Sequence, residues 1–234
     1  MYVWVDPAPS SGEPSTASAA LTLNENNYFS FNTVTIQHGP FGNSAQSAEW
    51  DELRVGTEYA NVIAGAYYTD LATAADSFIR AGSYASSNYG SNGSLWVKND
   101  ASSDYDRMAI LRFDLSSYSG SITNATLSLT PNTVGSSINN TELKAYLVSD
   151  DSWTETGVTW NNQPAYSTLL DTVSGTTIQN GVPVEFDVSA AAATEHAGDG
   201  ELSILILSTT EGSQHYVVFD SYESGGDQPL LSIE

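Results

Sequence analysis

Val182-Pro183-Val184-Glu185-Phe186-Asp187-Val188 alternates apolar and polar residues without a break. Successive side chains of a strand point to opposite faces, so this period of two predicts a half-buried strand. The same reading holds at Ala125, Leu127 and Leu129 against Thr126, Ser128 and Thr130, and at Leu143, Ala145 and Leu147 against Lys144 and Tyr146. Further strands are expected at 76–80, 94–98, 108–114, 202–208, 215–220 and 229–233. The run Ile204-Leu205-Ile206-Leu207 is continuous enough to be buried on both faces. Clusters of Gly, Asn and Ser separate these segments, which is the spacing of an all-β antiparallel sandwich of jelly-roll type. A single helical turn is expected over 188–196, stopping near Gly198.

Composition agrees with this reading. Ser, Thr and Asn supply 71 of the 234 residues, and charged residues only 15% against roughly 25% in an average soluble protein. With 40% apolar residues the chain can bury a proper core. The 28 acids and 6 bases give a net charge of −22, which repels phosphates and excludes nucleic acid as a partner. The absence of cysteine removes disulfides, thiol nucleophiles and thiolate metal sites. No apolar run reaches the ~18 residues of a membrane span, so no membrane insertion is expected. Met1-Tyr2-Val3-Trp4-Val5-Asp6-Pro7 reads as a strand already under way. The expectation is a fragment of a larger secreted or cell-surface protein whose other domains are its neighbours.

The first 65 residues differ in pattern from the rest, with strands expected near 18–24, 31–37 and 50–55. The stretch Glu49-Trp50-Asp51-Glu52-Leu53-Arg54-Val55-Gly56-Thr57-Glu58-Tyr59-Ala60-Asn61-Val62 resembles the closing strand of laminin-G-like (concanavalin-like) jelly rolls. Residues 1–65 are therefore expected to be the C-terminal strands of a truncated β domain, and 66–234 a separate sandwich.

A second resemblance covers residues from about 70 to 234. Its motifs are Ala75-Asp76-Ser77-Phe78-Ile79-Arg80, Leu95-Trp96-Val97-Lys98-Asn99, Arg107-Met108-Ala109-Ile110-Leu111-Arg112-Phe113-Asp114, and Trp153-Thr154-Glu155-Thr156-Gly157-Val158-Thr159-Trp160-Asn161-Asn162-Gln163-Pro164. Glu185-Phe186-Asp187-Val188 and Phe219-Asp220-Ser221-Tyr222-Glu223 complete the order. Together they resemble DNRLRE-type domains, or carbohydrate-binding module family 96. The resemblance implies a non-catalytic β-sandwich attached to secreted polysaccharide-degrading or cell-surface proteins, with alginate a ligand class of some members. Tyr222 stands where many members carry Arg, so any role of that cation is missing here.

The bases carry a signal of their own. Arg80, Lys98, Arg107 and Arg112 fall in a window that holds only Asp100, Asp104 and Asp106 as acids, so four bases against three acids make 80–112 net +1 and leave −23 for the remainder. Exposed charges more than about 8 Å apart are largely screened at physiological ionic strength, so a compact cationic patch can act locally. Strand phase puts Phe78 with Arg80, and Trp96 with Lys98, on one face, opposite Ile79, Leu95 and Val97. Aromatic faces pack on sugar C–H groups, and uronate carboxylates take charge-assisted bonds from Arg or Lys. Tyr84, Asn88, Tyr89 and Arg107 would extend this surface from adjoining loops. The alternative is that Phe78 and Trp96 pack under a loop or neighbouring strand while the cations pair with Asp100, Asp104 or Asp106.

Other constellations read as structural. Trp153 and Trp160 with Asn161, Asn162 and Gln163 could form a sugar platform, but a loop in which Trp plugs the space between sheets is favoured. Arg112 is expected to make a structural ion pair. His38, His196 and His215 lack metal-site spacing, and no Gly-x-Ser-x-Gly elbow occurs. A glycosidase carboxylate pair has no distinguishing signal among so many acids. No cofactor is required. A structural calcium ion could bind where Asp76 meets Asp220, Glu223 or Asp227, with solvated surface acids as the alternative. Asn92, Asn124 and Asn139 are formal glycosylation sequons. Function is thus expected to be binding of an acidic polysaccharide; a structural or adhesive spacer, or part of a lyase or hydrolase, are the other readings.

Overall fold

The computed structural model describes residues 69–234 and, before them, the strand pair β1 (Tyr2–Val3) and β2 (Leu21–Thr22), which is antiparallel. Two units divide the chain, Met1–Ala66 and Tyr67–Glu234. The expected strands near 31–37 and 50–55, and the laminin-G-like stretch 49–62, lie outside the described residues.

The second unit is all-β. Four strands, β11 (Val184–Asp187), β7 (Ala125–Leu129), β14 (Leu230–Ile233) and β3 (Thr69–Ala72), form one sheet in the order β11-β7-β14-β3. The larger sheet runs β10 (Tyr166–Ser174), β9 (Glu142–Val148), β12 (Glu201–Ser208), β6 (Arg107–Asp114), β5 (Ser94–Lys98), β13 (Tyr216–Asp220), β8 (Pro131–Val134), with β4 (Ala75–Arg80) paired to β6. Every pairing is antiparallel.

The period of two has its consequence in the core between the sheets. Leu127, Leu129, Phe186, Leu231 and Ile233 from the small sheet meet Ala109, Leu111, Phe113, Leu143, Ile204, Ile206 and Phe219 from the large one. β11 shows the alternation that its sequence has, with Val184 and Phe186 buried and Glu185 and Asp187 exposed. β12 is buried on both faces, as expected: Ile204 and Ile206 enter the main core, whereas Leu205 joins a second cluster with Ala75, Ile79, Met108, Ile110 and Val148.

That second cluster is closed by Trp153 and Val158 from the loop before β10. Trp153 is 7% exposed, and its indole N–H donates to the Ser203 hydroxyl at 3.0 Å. The tryptophan is structural, but it covers the other face of the large sheet instead of filling the space between sheets. Arg112 holds this loop: its guanidinium donates to the carbonyls of Asp151 (2.6 Å) and Trp153 (3.1 Å) and lies 3.2 Å from the Glu201 carboxylate. The expected ion pair is present. Helix α1 (Ser189–Ala197) follows β11, and His196 near its end sits 2.9 Å from the Gly120 carbonyl.

Three strands escaped the alternation. β3 is short, and β8 opens on Pro131 at the sheet edge, where a missing N–H costs no ladder bond. β10 is an edge strand with register shifts between Tyr166 and Thr168 and between Leu169 and Asp171, and such bulges break the period.

Candidate functional site

β6 brings the cations together. Its first residue, Arg107, is in register with Arg80, the last residue of β4, and with Lys98, the last residue of β5. Three of the chain's six bases thus stand as cross-strand neighbours. Arg107 reaches the row from a strand, not from the adjoining loop expected for it. Like charges directly opposite repel, so their surroundings decide whether the arrangement persists.

Aromatic rings and one carboxylate supply those surroundings. The Arg80 guanidinium lies 3.7 Å from the centroid of Tyr84 and 5.7 Å from that of Tyr105; Lys98 lies 5.4 Å from Tyr105, and Arg107 5.0 Å from Trp96. Each position is that of a cation over a π face. Lys98 pairs with Asp100 at 2.7 Å, and this bond, first of several causes, holds the Asp100 carboxyl below its usual range. Arg80 and Arg107 donate to the backbone carbonyls of Asp104 (3.4 Å) and Tyr105 (3.1 Å). Among the described residues neither arginine pairs with a carboxylate. Burial, and after it the charge of Arg80, pulls the Arg107 guanidinium below its ordinary pKa; it remains a cation at neutral pH.

Two short 3-10 turns frame the row. Gly82–Tyr84 follows β4, and Ser103–Tyr105 precedes β6. Gly82 has φ +66°, and a Cβ there would overlap the Asp104 backbone and side chain, so only glycine lets the two turns touch. Their contact leaves Tyr84 (46%) and Tyr105 (48%) exposed beside the cations.

The other expected residues divide. Trp96 is half-buried, its ring 5.7 Å from that of Tyr216. Phe78, expected on the open face, is 4% exposed and stacked on Tyr89 at 4.2 Å, so one face of Tyr89 is taken. Asn88 spends its side chain on bracing: it donates to the carbonyls of Glu155 (2.6 Å) and Val158 (2.7 Å) and accepts from the Gly90 N–H (3.1 Å). Tyr105 and Tyr216 belong to the patch but escaped notice, because their cross-strand and cross-turn neighbours are distant in sequence.

At the opposite end of β4 lies an acidic cluster. Carboxylate oxygens of Asp76, Glu155 and Glu223 all fall within 4.8 Å of one another. Asp220, expected with Asp76 and Glu223, is elsewhere: it accepts from the Asn132 amide at 2.7 Å, across β13 and β8. Glu155 takes its place, carried in by the Trp153 loop and fixed by Asn88 and by Gly90, where a Cβ would stand 2.2 Å from the Glu155 carbonyl oxygen. Burial pushes the Asp76 carboxyl up to about 6, with Glu223 and Glu155 adding to the rise against hydrogen bonds from Tyr222 and Thr73.

Comparison with known proteins adds a family and a distant likeness. No curated protein matches the chain. Among solved structures, a point mutant of Xylanase10C from Cellvibrio japonicus in complex with xylopentaose is similar at 9% identity and a TM-score of 0.39. The likeness covers 71% of this chain and 28% of that one, so the chain spans less than a third of that protein. The family model of carbohydrate-binding module family 96 matches residues 67–234, the whole of the sandwich that carries the cation row. By that match the chain belongs to carbohydrate-binding module family 96.

Proposed function

We propose that the sandwich is a non-catalytic module that holds an acidic polysaccharide, a uronate chain such as alginate, on the row Arg80–Arg107–Lys98. One observation carries this reading: in a chain of net charge −22, two arginines stand side by side without a carboxylate partner among the described residues. A uronate carboxylate relieves their repulsion and takes charge-assisted bonds worth about 1.5–3 kcal/mol each. Tyr84, Tyr105 and Trp96 supply apolar faces at sugar-ring scale beside those charges. Half-buried cations at the ends of three neighbouring strands suit retention of an extended chain.

Such a ligand lies outside cells, so the module would serve a secreted or cell-surface protein and tether its neighbouring domains to the glycan. Affinity gel electrophoresis of the full chain in alginate, polygalacturonate and a neutral glucan tests the proposal. Retardation in the two acidic gels alone is expected. Unchanged mobility in both would overturn it and favour the reading of a structural or adhesive spacer, and release of unsaturated uronides would replace it with a lyase.

A further inference from the structure

Asp76 is fully buried, at 0% exposure, yet its Oδ1 has no hydrogen-bond partner among the described residues. A buried, unpartnered carboxylate oxygen is costly. Its other oxygen, Oδ2, accepts from the Thr73 hydroxyl (3.0 Å) and the Tyr222 N–H (2.9 Å). Glu155 accepts through Oε1 from the Asp76 N–H (3.1 Å), and Glu223 through Oε2 from the Ser221 hydroxyl (3.0 Å). Each carboxylate is thus oriented by one oxygen, and no Lys or Arg among the described residues pairs with any of the three. One carboxylate oxygen of each of the three residues lies within 4.8 Å of the others, and the most buried of the three carboxylates has an oxygen that lacks a partner.

We propose that Asp76, Glu155 and Glu223 form a calcium site that clamps the start of β4, the Trp153 loop and the turn Tyr222–Ser224 to one another. The donors are all hard oxygens, without the nitrogen or sulfur that a structural zinc prefers. Calcium sits about 2.3–2.6 Å from each ligand, so oxygens on opposite sides of it are up to about 5 Å apart, which accommodates the 4.8 Å limit of this cluster. Magnesium, at about 2.0–2.1 Å, draws opposite ligands to about 4 Å and keeps most of its waters. A proton on Asp76 would neutralise only one of the three charges. A divalent ion answers all three carboxylates at once.

The clamp concerns stability and stands apart from glycan binding. The full chain, stripped with EDTA, is titrated with CaCl2 and separately with MgCl2 by calorimetry, and with Tb3+ by luminescence sensitised from Tyr222. Glu155→Gln and Glu223→Gln accompany the wild type, since Glu223 is exposed and Glu155 only half-buried and neither change empties the core. Asp70→Asn, at the edge strand β3, controls for the many surface acids. One saturable calcium site per chain is expected, with a rise in melting temperature. Each Gln variant should weaken it at least tenfold and lose the terbium signal, while Asp70→Asn should leave both intact. Absence of saturable binding, equal affinity for magnesium, or unaltered calcium affinity in both Gln variants would overturn the assignment.

Discussion

β4 carries two like-charge clusters, one at each end, and they differ in depth. Arg80, in register with Arg107, is half-buried with its charge spread over the rings of Tyr84 and Tyr105; Asp76, four residues earlier, is fully buried beside Glu155 and Glu223. Water and π faces let the cations wait for a mobile partner, because solvent screens them. A buried oxygen has no such recourse, so the acidic cluster needs its counter-charge as part of the fold. On the two proposals made above, depth separates a docking surface from a structural clamp on the same strand.

Breaking the cationic cluster should give the largest effect. Arg80→Ala with Arg107→Ala removes two charge-assisted contacts, about 3–6 kcal/mol if both are realised, and retardation in alginate gels should vanish. The melting temperature should hardly move, since neither arginine bonds a carboxylate among the described residues; a large drop would show that the row is part of the scaffold.

The buried cluster should respond in stability instead. Gly90→Ala places a Cβ on the Glu155 carbonyl and must displace the loop that delivers Glu155, at a cost of about 1–3 kcal/mol. Chemical denaturation should show this loss, together with weakened calcium affinity.

Salt then sharpens the contrast. Raising NaCl from 50 to 500 mM shortens the screening length from about 14 to 4 Å, so affinity for an acidic glycan should fall several-fold in calorimetry, whereas the clamp's contribution to the melting temperature should persist.

The smallest effect concerns the one carboxylate inside the patch. Asp100→Asn keeps the bond from the Ser102 N–H yet frees Lys98, and should strengthen glycan binding by a factor of a few. Weaker binding would mean that Asp100 holds Lys98 in its working position.

The same difference in depth governs what could be read from residue order. The cation row was legible, because a charge at the end of each alternating strand needs only strand phase and a net-positive window to be noticed. β12 was legible for the related reason that four consecutive large apolar residues fit only a strand covered on both faces. Glu155 was not: it reaches Asp76 through a loop whose course depends on Asn88, Gly90 and Arg112, contacts spanning dozens of residues. Asp220 looked equivalent to it, being close to Glu223 in sequence, yet it lies at the end of β13 and is bonded to Asn132 on the edge strand β8. β10 stayed hidden because the bulges at an edge erase the alternation that reveals central strands.

The small sheet has a mechanical corollary. Thr69 of β3 lies opposite Ile233 of β14, so the first residue of β3 and the last residue of β14 stand at the same end of adjacent antiparallel strands. Tension applied across these two points pulls along the hydrogen bonds, which run perpendicular to the strands, and parts them one after another instead of shearing all at once. β3 is the edge strand of that sheet. Under such tension it would peel first and release a few residues of length, while β14, β7 and β11 stay paired.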